Sequence, residues 1–255
     1  MRLIDTHTHL YLEQFDNDRN NVIETAIQKG IDTFLLPNID VQSIDPMLEL
    51  CHAFPTNCFP MMGLHPTSVG ADFENQLQIV EQRLAQETYS GVGEIGLDFY
   101  WDTSFREQQL EAFRFQLQLA IKHDLPVAIH TREAFSEILE IVESEHQGRL
   151  RGVFHCFTGG REEAARIMKM NMLMGIGGVL TFKKARLDII IKDIPLSYLI
   201  LETDSPFLAP VPYRGKRNES GYLLHVANKL AEVKEISLDT VAEETTANAI
   251  KLFKL

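Results

Sequence analysis

Short apolar runs rich in branched residues alternate along this chain with longer stretches whose apolar positions recur at helical spacing. The runs fall at 2–5, 33–37, 58–64, 91–95, 126–130, 152–155, 173–176 and 199–202. Helical patterns fill the gaps at 18–29, 43–53, 74–88, 104–123, 132–146, 161–171 and 182–193. Two more follow the last run, near 221–233 and 238–253. The 104–123 stretch opens on Ser104 with Glu107 three residues on, the spacing of a capping box. Its Leu110, Phe113, Leu117 and Ala120 mark the face to be buried. Ser237 is placed to cap the final helix. Strands that alternate with helices predict a parallel sheet covered by helices, and eight such units close into a (β/α)8 TIM barrel. An open doubly wound sheet is the alternative. No linker, low-complexity tract or repeat interrupts the pattern, so one domain is expected over 1–255.

Composition narrows the class. A length of 255 residues suits one such barrel, and a hydrophobic content of 45% is ordinary for a globular chain. Cys51, Cys58 and Cys156 are odd in number and irregular in spacing, which predicts reduced thiols rather than a disulfide frame. The N-terminus has no apolar signal core, and no run reaches the length of a membrane span. The expectation is a cytoplasmic protein with no membrane contact and no obligate protein partner. A net charge of −12 argues against a broad basic coat for nucleic acid. It leaves room for an enzyme with a locally basic site.

The chemistry-bearing residues gather at the C-terminal ends of the predicted strands, the face on which barrel active sites are built. Strand 1 ends in IDTHTH, and alternation along a strand points His7 and His9 the same way. Strand 4 presents Glu94, strand 5 His130, strand 6 His155, and the ETDSP segment after strand 8 Asp204. A lone HxH is more often a polar loop, Glu94 could be a turn residue and Asp204 a turn cap. Chance would scatter such groups over both ends of the strands. Their placement at one end predicts a centre for two divalent ions, with Glu94 as the bridge. Nitrogen and oxygen donors admit magnesium, manganese or zinc. Two ions can clamp the attacking and leaving oxygens of a phosphate ester. Asp204 is then the group that orients water or takes its proton, with Glu202 beneath it as a supporting carboxylate.

Weaker candidates ring this set. His65 in GLHP faces the same mouth and can contact a phosphate or a loop carbonyl. Arg132 can grip a phosphate with its fork of donors. The loop PVPYRGKRNES carries Arg214, Lys216 and Arg217 beside Tyr213, a combination on which a single-stranded end can stack, or else a solvated charged loop. Cys156 is expected to point outward as a packing thiol, and Trp101, Phe113 and Phe115 to be core or rim. His52, His123, His146 and His225 lie on helical patterns and are expected to bind nothing.

The motifs DTHTHL, GEIGLDFYW, PVAIHTR, HCFTGG, GGVLTFK, LETDSPFLAP and PYRGKRNE, in this order and spacing, resemble the TatD-type deoxyribonucleases. These are amidohydrolase-like metal hydrolases on a TIM barrel. The resemblance spans 5–219 and continues into the C-terminal helices. It implies a divalent-metal-dependent deoxyribonuclease, commonly a 3′ to 5′ exonuclease, whose metal ligands fall on His7, His9, Glu94, His130, His155 and Asp204. That is the set reached from the strand ends. Catalysis would fall to Asp204 and Glu94, substrate contact to His65, Arg132 and Arg214, and the substrate would be DNA, at single-stranded ends. The family pattern Asn-Glu-Pro reads Asn218-Glu219-Ser220 here, which is expected to loosen the loop entering the next helix. A small-molecule amide, lactone or phosphoester hydrolase on the same metal site is the alternative, and a non-catalytic barrel a third.

Overall fold

The computed structural model of the chain describes residues 1–146 and 148–255. Eight parallel strands form one sheet in sequence order: β1 Leu3–Asp5, β2 Ile31–Pro37, β3 Cys58–Met62, β4 Gly91–Asp98, β5 Val127–Arg132, β6 Gly152–Phe154, β7 Leu173–Ile176 and β8 Leu199–Leu201. Between them run helices α1 Arg19–Gln28, α2 Ile44–Ala53, α3 Phe73–Gln86, α4 Arg106–His123, α5 Phe135–His146, α6 Arg161–Lys169 and α7 Leu187–Ile191. Helices α8 Leu223–Lys234 and α9 Leu238–Phe253 follow β8. This is the (β/α)8 barrel, not the open sheet.

Beyond their last residues β1 and β8 close the ring. The Thr6 amide donates to Leu201 O at 3.1 Å, the Asp204 amide to His7 O at 2.8 Å, and the His9 amide to Ser205 O at 2.7 Å. Buried Asp5 braces this seam, accepting the Thr203 amide at 2.9 Å and the Thr203 hydroxyl at 2.6 Å.

Alternation sorts the strand side chains to two faces. Ile4, Leu35, Met61, Ala128, Val153 and Ile200, from six strands, form one cluster with Ala249, Leu252 and Phe253 of α9. These residues fill the barrel interior, and α9 plugs its floor. Thr246 donates there to Arg2 O at 3.0 Å, and Asn248 to Leu199 O at 2.9 Å, at the N-terminal ends of β1 and β8. The larger cluster lies between the sheet and the surrounding helices, where Phe34, Phe113 and Phe154 are fully buried. With the floor plugged, the open end is the one where the strands finish.

Three local expectations change. Helix α4 begins at Arg106 without a side-chain cap, because its N-cap position is Phe105, one residue past Ser104, and the Ser104 amide pairs with the Asp102 carboxylate at 2.8 Å rather than with Glu107. Arg132 belongs to β5, whose pairing with β4 continues to Asp98 opposite Arg132. The helix expected over 182–193 shrinks to Leu187–Ile191. A 3-10 turn at Gly178–Thr181 and a left-handed Arg186 occupy the approach. Ser237 caps α9 as expected, accepting the Thr240 amide at 3.0 Å. The three cysteines are free. Among the described residues no helix is long and apolar enough to cross a membrane.

Candidate metal centre

The six residues read from the strand ends meet at the open end of the barrel. Glu94 is their hub. Its Oε1 lies 2.8 Å from His130 Nδ1 and 3.3 Å from His155 Nε2. Its Oε2 lies 3.0 Å from His7 Nε2 and 3.5 Å from His9 Nε2. Asp204 closes the set from above, with Oδ1 3.6 Å from His9 Nε2 and 3.9 Å from His7 Nε2. The position of Glu94 is fixed by backbone: its amide donates to Asn38 O, and the Asn38 amide donates to Gly93 O, both at 3.1 Å.

Three histidines are held by partners that the sequence reading assigned no role, or only a loose one. His9 Nδ1 lies 2.9 Å from the Tyr11 hydroxyl, which itself donates to Pro37 O at 2.5 Å. The hydroxyl therefore accepts from His9 Nδ1, and the Nε2 lone pair is left facing the carboxylates. Asp98 Oδ2 lies 3.0 Å from His130 Nε2, leaving Nδ1 toward Glu94. Glu202 Oε1 lies 3.0 Å from His155 Nδ1, an ion-pair distance with poor hydrogen-bond alignment, and accepts the Cys156 amide at 2.6 Å. Gly175 makes room for Glu202: a side-chain carbon there would fall on that carboxylate. Tyr11 and Asp98 were legible only as residues two and four positions beyond a recognised donor, Asp98 on the same strand as Glu94 and Tyr11 in the turn after β1.

His65 also reaches the hub, with Nε2 3.3 Å from Glu94 Oε1. Its Nδ1 accepts the Thr67 amide at 3.1 Å. In the neutral ring the proton then sits on Nε2, so His65 offers the site a donor rather than a lone pair.

Electrostatics follow from seven titratable groups in a buried space. Burial opposes charge on each of them. For His155 the Glu202 and Glu94 carboxylates outweigh burial and lift it to about 9. Burial likewise opposes charge on His9 and His130, yet both end above the ordinary value. His9 is raised by Tyr11, Asp204 and Glu94, and His130 by Asp98 and Glu94. His7 moves down, through burial and the neighbouring His155, whose ring stacks on it at 3.6 Å. His65 moves down through burial. Glu94 and Asp204 resist burial because the imidazoles surround them, and both fall below the ordinary carboxylate value.

The donor chemistry fits divalent cations. Two groups with free lone pairs have donor atoms within 4.8 Å of one another, His7, His9 and Glu94, and His7, His155 and Asp204; His65, Glu94 and His130 lie as close, but the neutral His65 ring carries its proton on Nε2. Imidazole nitrogen with carboxylate oxygen suits zinc and manganese, and carboxylates also suit magnesium. Buried His7 Nδ1 has no hydrogen-bond partner, so unlike His9 and His130 this ring is not oriented through its second nitrogen.

The centre lies in a cavity of about 750 Å³ that opens to solvent. Arg132 and Thr131 line it, and so does Cys156, contrary to the expectation of an outward thiol. Strand β6 ends at Phe154, and Cys156 adopts a left-handed backbone with φ 46°, so strand alternation no longer sets its direction. Arg214 is not among the lining residues and stacks instead on the Phe182 ring at 3.8 Å. Arg217 is bound by Asp18 at 2.7 Å and Glu219 at 3.0 Å, and so is no free cation for a strand. Trp101 lies on the rim, 68% exposed. Ser220 is buried, its hydroxyl 3.3 Å from Thr8 Oγ1, so this position is firmly seated without the family proline.

A barrel with histidines and carboxylates at its C-terminal mouth defines the metal-dependent hydrolase class, and comparison gives the family. The family described as TatD related DNase matches residues 4–254. The chain belongs to that family, one of metal-dependent hydrolases. It is 38% identical over 254 residues to the uncharacterized metal-dependent hydrolase YabD of Bacillus subtilis, covering 99% of each chain. It is 29% identical over 259 residues to the 3′-5′ ssDNA/RNA exonuclease TatD of Pectobacterium carotovorum, covering 99% of this chain and 100% of the other. The crystal structure of YJJV, a TatD homologue from Escherichia coli, superposes with a TM-score of 0.94 at 28% identity, covering 100% of this chain and 98% of the other.

Proposed function

We propose that this protein is a divalent-metal-dependent deoxyribonuclease that hydrolyses phosphodiester bonds at single-stranded ends, in the 3′ to 5′ direction. The observation that carries the reading is the shared carboxylate: Glu94 faces imidazoles from two sides, with Asp204 above, inside an open cavity. His7, His9, Glu94, His130, His155 and Asp204 would hold two ions, of magnesium, manganese or zinc. When bound, such ions acidify water and neutralise charge on a phosphate.

The chain's own groups supply the rest. Asp204 is the most solvent-facing carboxylate of the hub, its side chain 14% exposed against 4% for Glu94. It is the group to receive a proton from the attacking water. Glu94, deep and charged, positions the donors around it. His65 points an Nε2 donor at the same space and would bind a phosphate oxygen. Arg132 lines the cavity wall as the near cation. Arg214, outside the cavity, would meet only a longer strand. A mouth this open, with an exposed rim, favours a chain-like ligand over the closed pocket a small ester would need. The Pectobacterium relative is named for 3′-5′ action on ssDNA and RNA, which includes the substrate proposed here.

The test is an assay on end-labelled single- and double-stranded DNA and on RNA, with metal-stripped protein resupplied with magnesium, manganese or zinc. Metal-dependent stepwise shortening, absent in His7→Ala, is the expected result. Intact nucleic acid under every metal, with turnover of a small phosphoester or lactone, would move the function to the small-molecule alternative.

A further inference from the structure

Tyr100 and Trp101 are large aromatic side chains left 50% and 68% exposed, Trp101 lining the cavity and Tyr100 beside it in the chain. Exposed aromatics of this size mark a contact surface when they cluster beside a site. They are not a loose loop. The Asp98 carboxylate accepts the amides of Tyr100 at 3.0 Å and Trp101 at 3.2 Å through Oδ1, while its Oδ2 holds His130. One side chain thus ties the aromatic pair and a histidine of the centre to the same frame. The Arg132 guanidinium lies 3.9 Å from the centre of the Tyr100 ring and 5.1 Å from that of Trp101. The two rings meet edge to face, at 4.9 Å and 84°, so they do not cover one another's faces by stacking. Phe207 and Leu208, 46% and 41% exposed, line the same cavity.

We infer that Tyr100, Trp101 and Arg132 form a stacking platform for a nucleobase of the single-stranded substrate, with the adjoining phosphate directed to the donor cluster. An exposed aromatic ring backed by a cation suits the π-face of any base and selects none, as sequence-independent trimming requires. This inference rests on the nuclease reading and deepens it: it makes the base, beside the phosphate, a part of what is bound.

Trp101 is the sole tryptophan of the chain, so its fluorescence reports the platform directly. The metal-loaded protein is titrated with a short phosphorothioate oligothymidylate, which resists hydrolysis, and with a base-free chain carrying the same linkages. Kinetics on oligothymidylate and on bis(4-nitrophenyl) phosphate are then compared for the wild type, Trp101→Ala and Trp101→Phe. Quenching by the oligothymidylate but not by the base-free chain is expected. In Trp101→Ala, the preference for the oligonucleotide should fall about 5- to 100-fold, mainly through KM, and Trp101→Phe should recover most of it. Equal quenching by both chains would mean attraction to phosphate alone and would overturn the platform. DNA cleavage with no quenching and an unchanged preference in Trp101→Ala would overturn the platform and leave the nuclease reading standing. Base-dependent quenching without hydrolysis of any nucleic acid would support the platform and overturn the nuclease reading.

Discussion

Replacing Glu202 by glutamine isolates one charge beneath the candidate metal centre. Glu202 is fully buried, and glutamine keeps its shape and an amide oxygen for the Cys156 amide. What disappears is the negative charge 3.0 Å from His155 Nδ1. In the metal-free protein burial pulls His155 down, while Glu202 is the largest influence lifting it and Glu94 the next, for a net position of about 9 against the ordinary 6.5. A histidine raised in this way stabilises the fold in full below pH 6.5 and loses that contribution as pH climbs through about 9. The interval corresponds to roughly 3 kcal/mol, of which Glu202 would supply about 1–3 kcal/mol. Urea unfolding of metal-stripped protein at pH 6 and pH 9.5 measures it. The wild type should exceed Glu202→Gln at pH 6, and the gap should shrink by pH 9.5. Metal affinity, measured separately, should fall about 10- to 100-fold because His155 loses its orienting partner. A stability gap independent of pH would refute the reasoning, since Glu202 would then not be holding His155 charged.

Asp204→Asn should lower turnover about 10²- to 10⁴-fold with an unchanged circular dichroism spectrum. The closing bond to His7 O comes from the Asp204 amide, not its side chain. Asp5→Asn tests the seam. Burial lifts the Asp5 carboxyl from 3.8 to about 7 against hydrogen bonds from Thr203, Ser220 and the His7 amide. Its contribution is therefore full below pH 3.8 and is lost as pH rises through about 7. The stability of wild type minus variant should fall between pH 4 and pH 8, by up to about 4 kcal/mol; a flat difference in chemical denaturation would show that Asp5 stays charged throughout. Arg217→Met should cost about 1 kcal/mol, because the pair with Asp18 is partly exposed. The thermal shift should shrink in high salt, and a shift that salt leaves alone would assign the loss to packing on Phe15.

The sequence by itself determined a parallel sheet covered by helices, with the barrel as its leading closure. Eight apolar runs, each followed by a helical pattern, leave few arrangements in which every run is covered. It also marked the donors: side chains that are costly to bury fell at one end of five strands, which strand direction alone brings to one mouth. His7, His9, Glu94, His130, His155 and Asp204 were legible for that reason. Tertiary structure decided what strand direction cannot carry. Tyr11, Asp98 and Glu202 became partners of particular histidine nitrogens through contacts that depend on side-chain placement at ångström precision. Cys156 turned into the cavity because the strand had already ended and alternation with it. The basic loop looked like a unit in the sequence, yet Arg217 was taken by Asp18, and Arg214 by the Phe182 ring outside the cavity. Trp101 carried no signal separating core from rim. Only packing, which buried Phe113 and left Trp101 at the mouth, made that distinction. Local pattern fixes which face a residue takes while the backbone is regular. Where strands end and loops cross, the neighbours that happen to meet there decide.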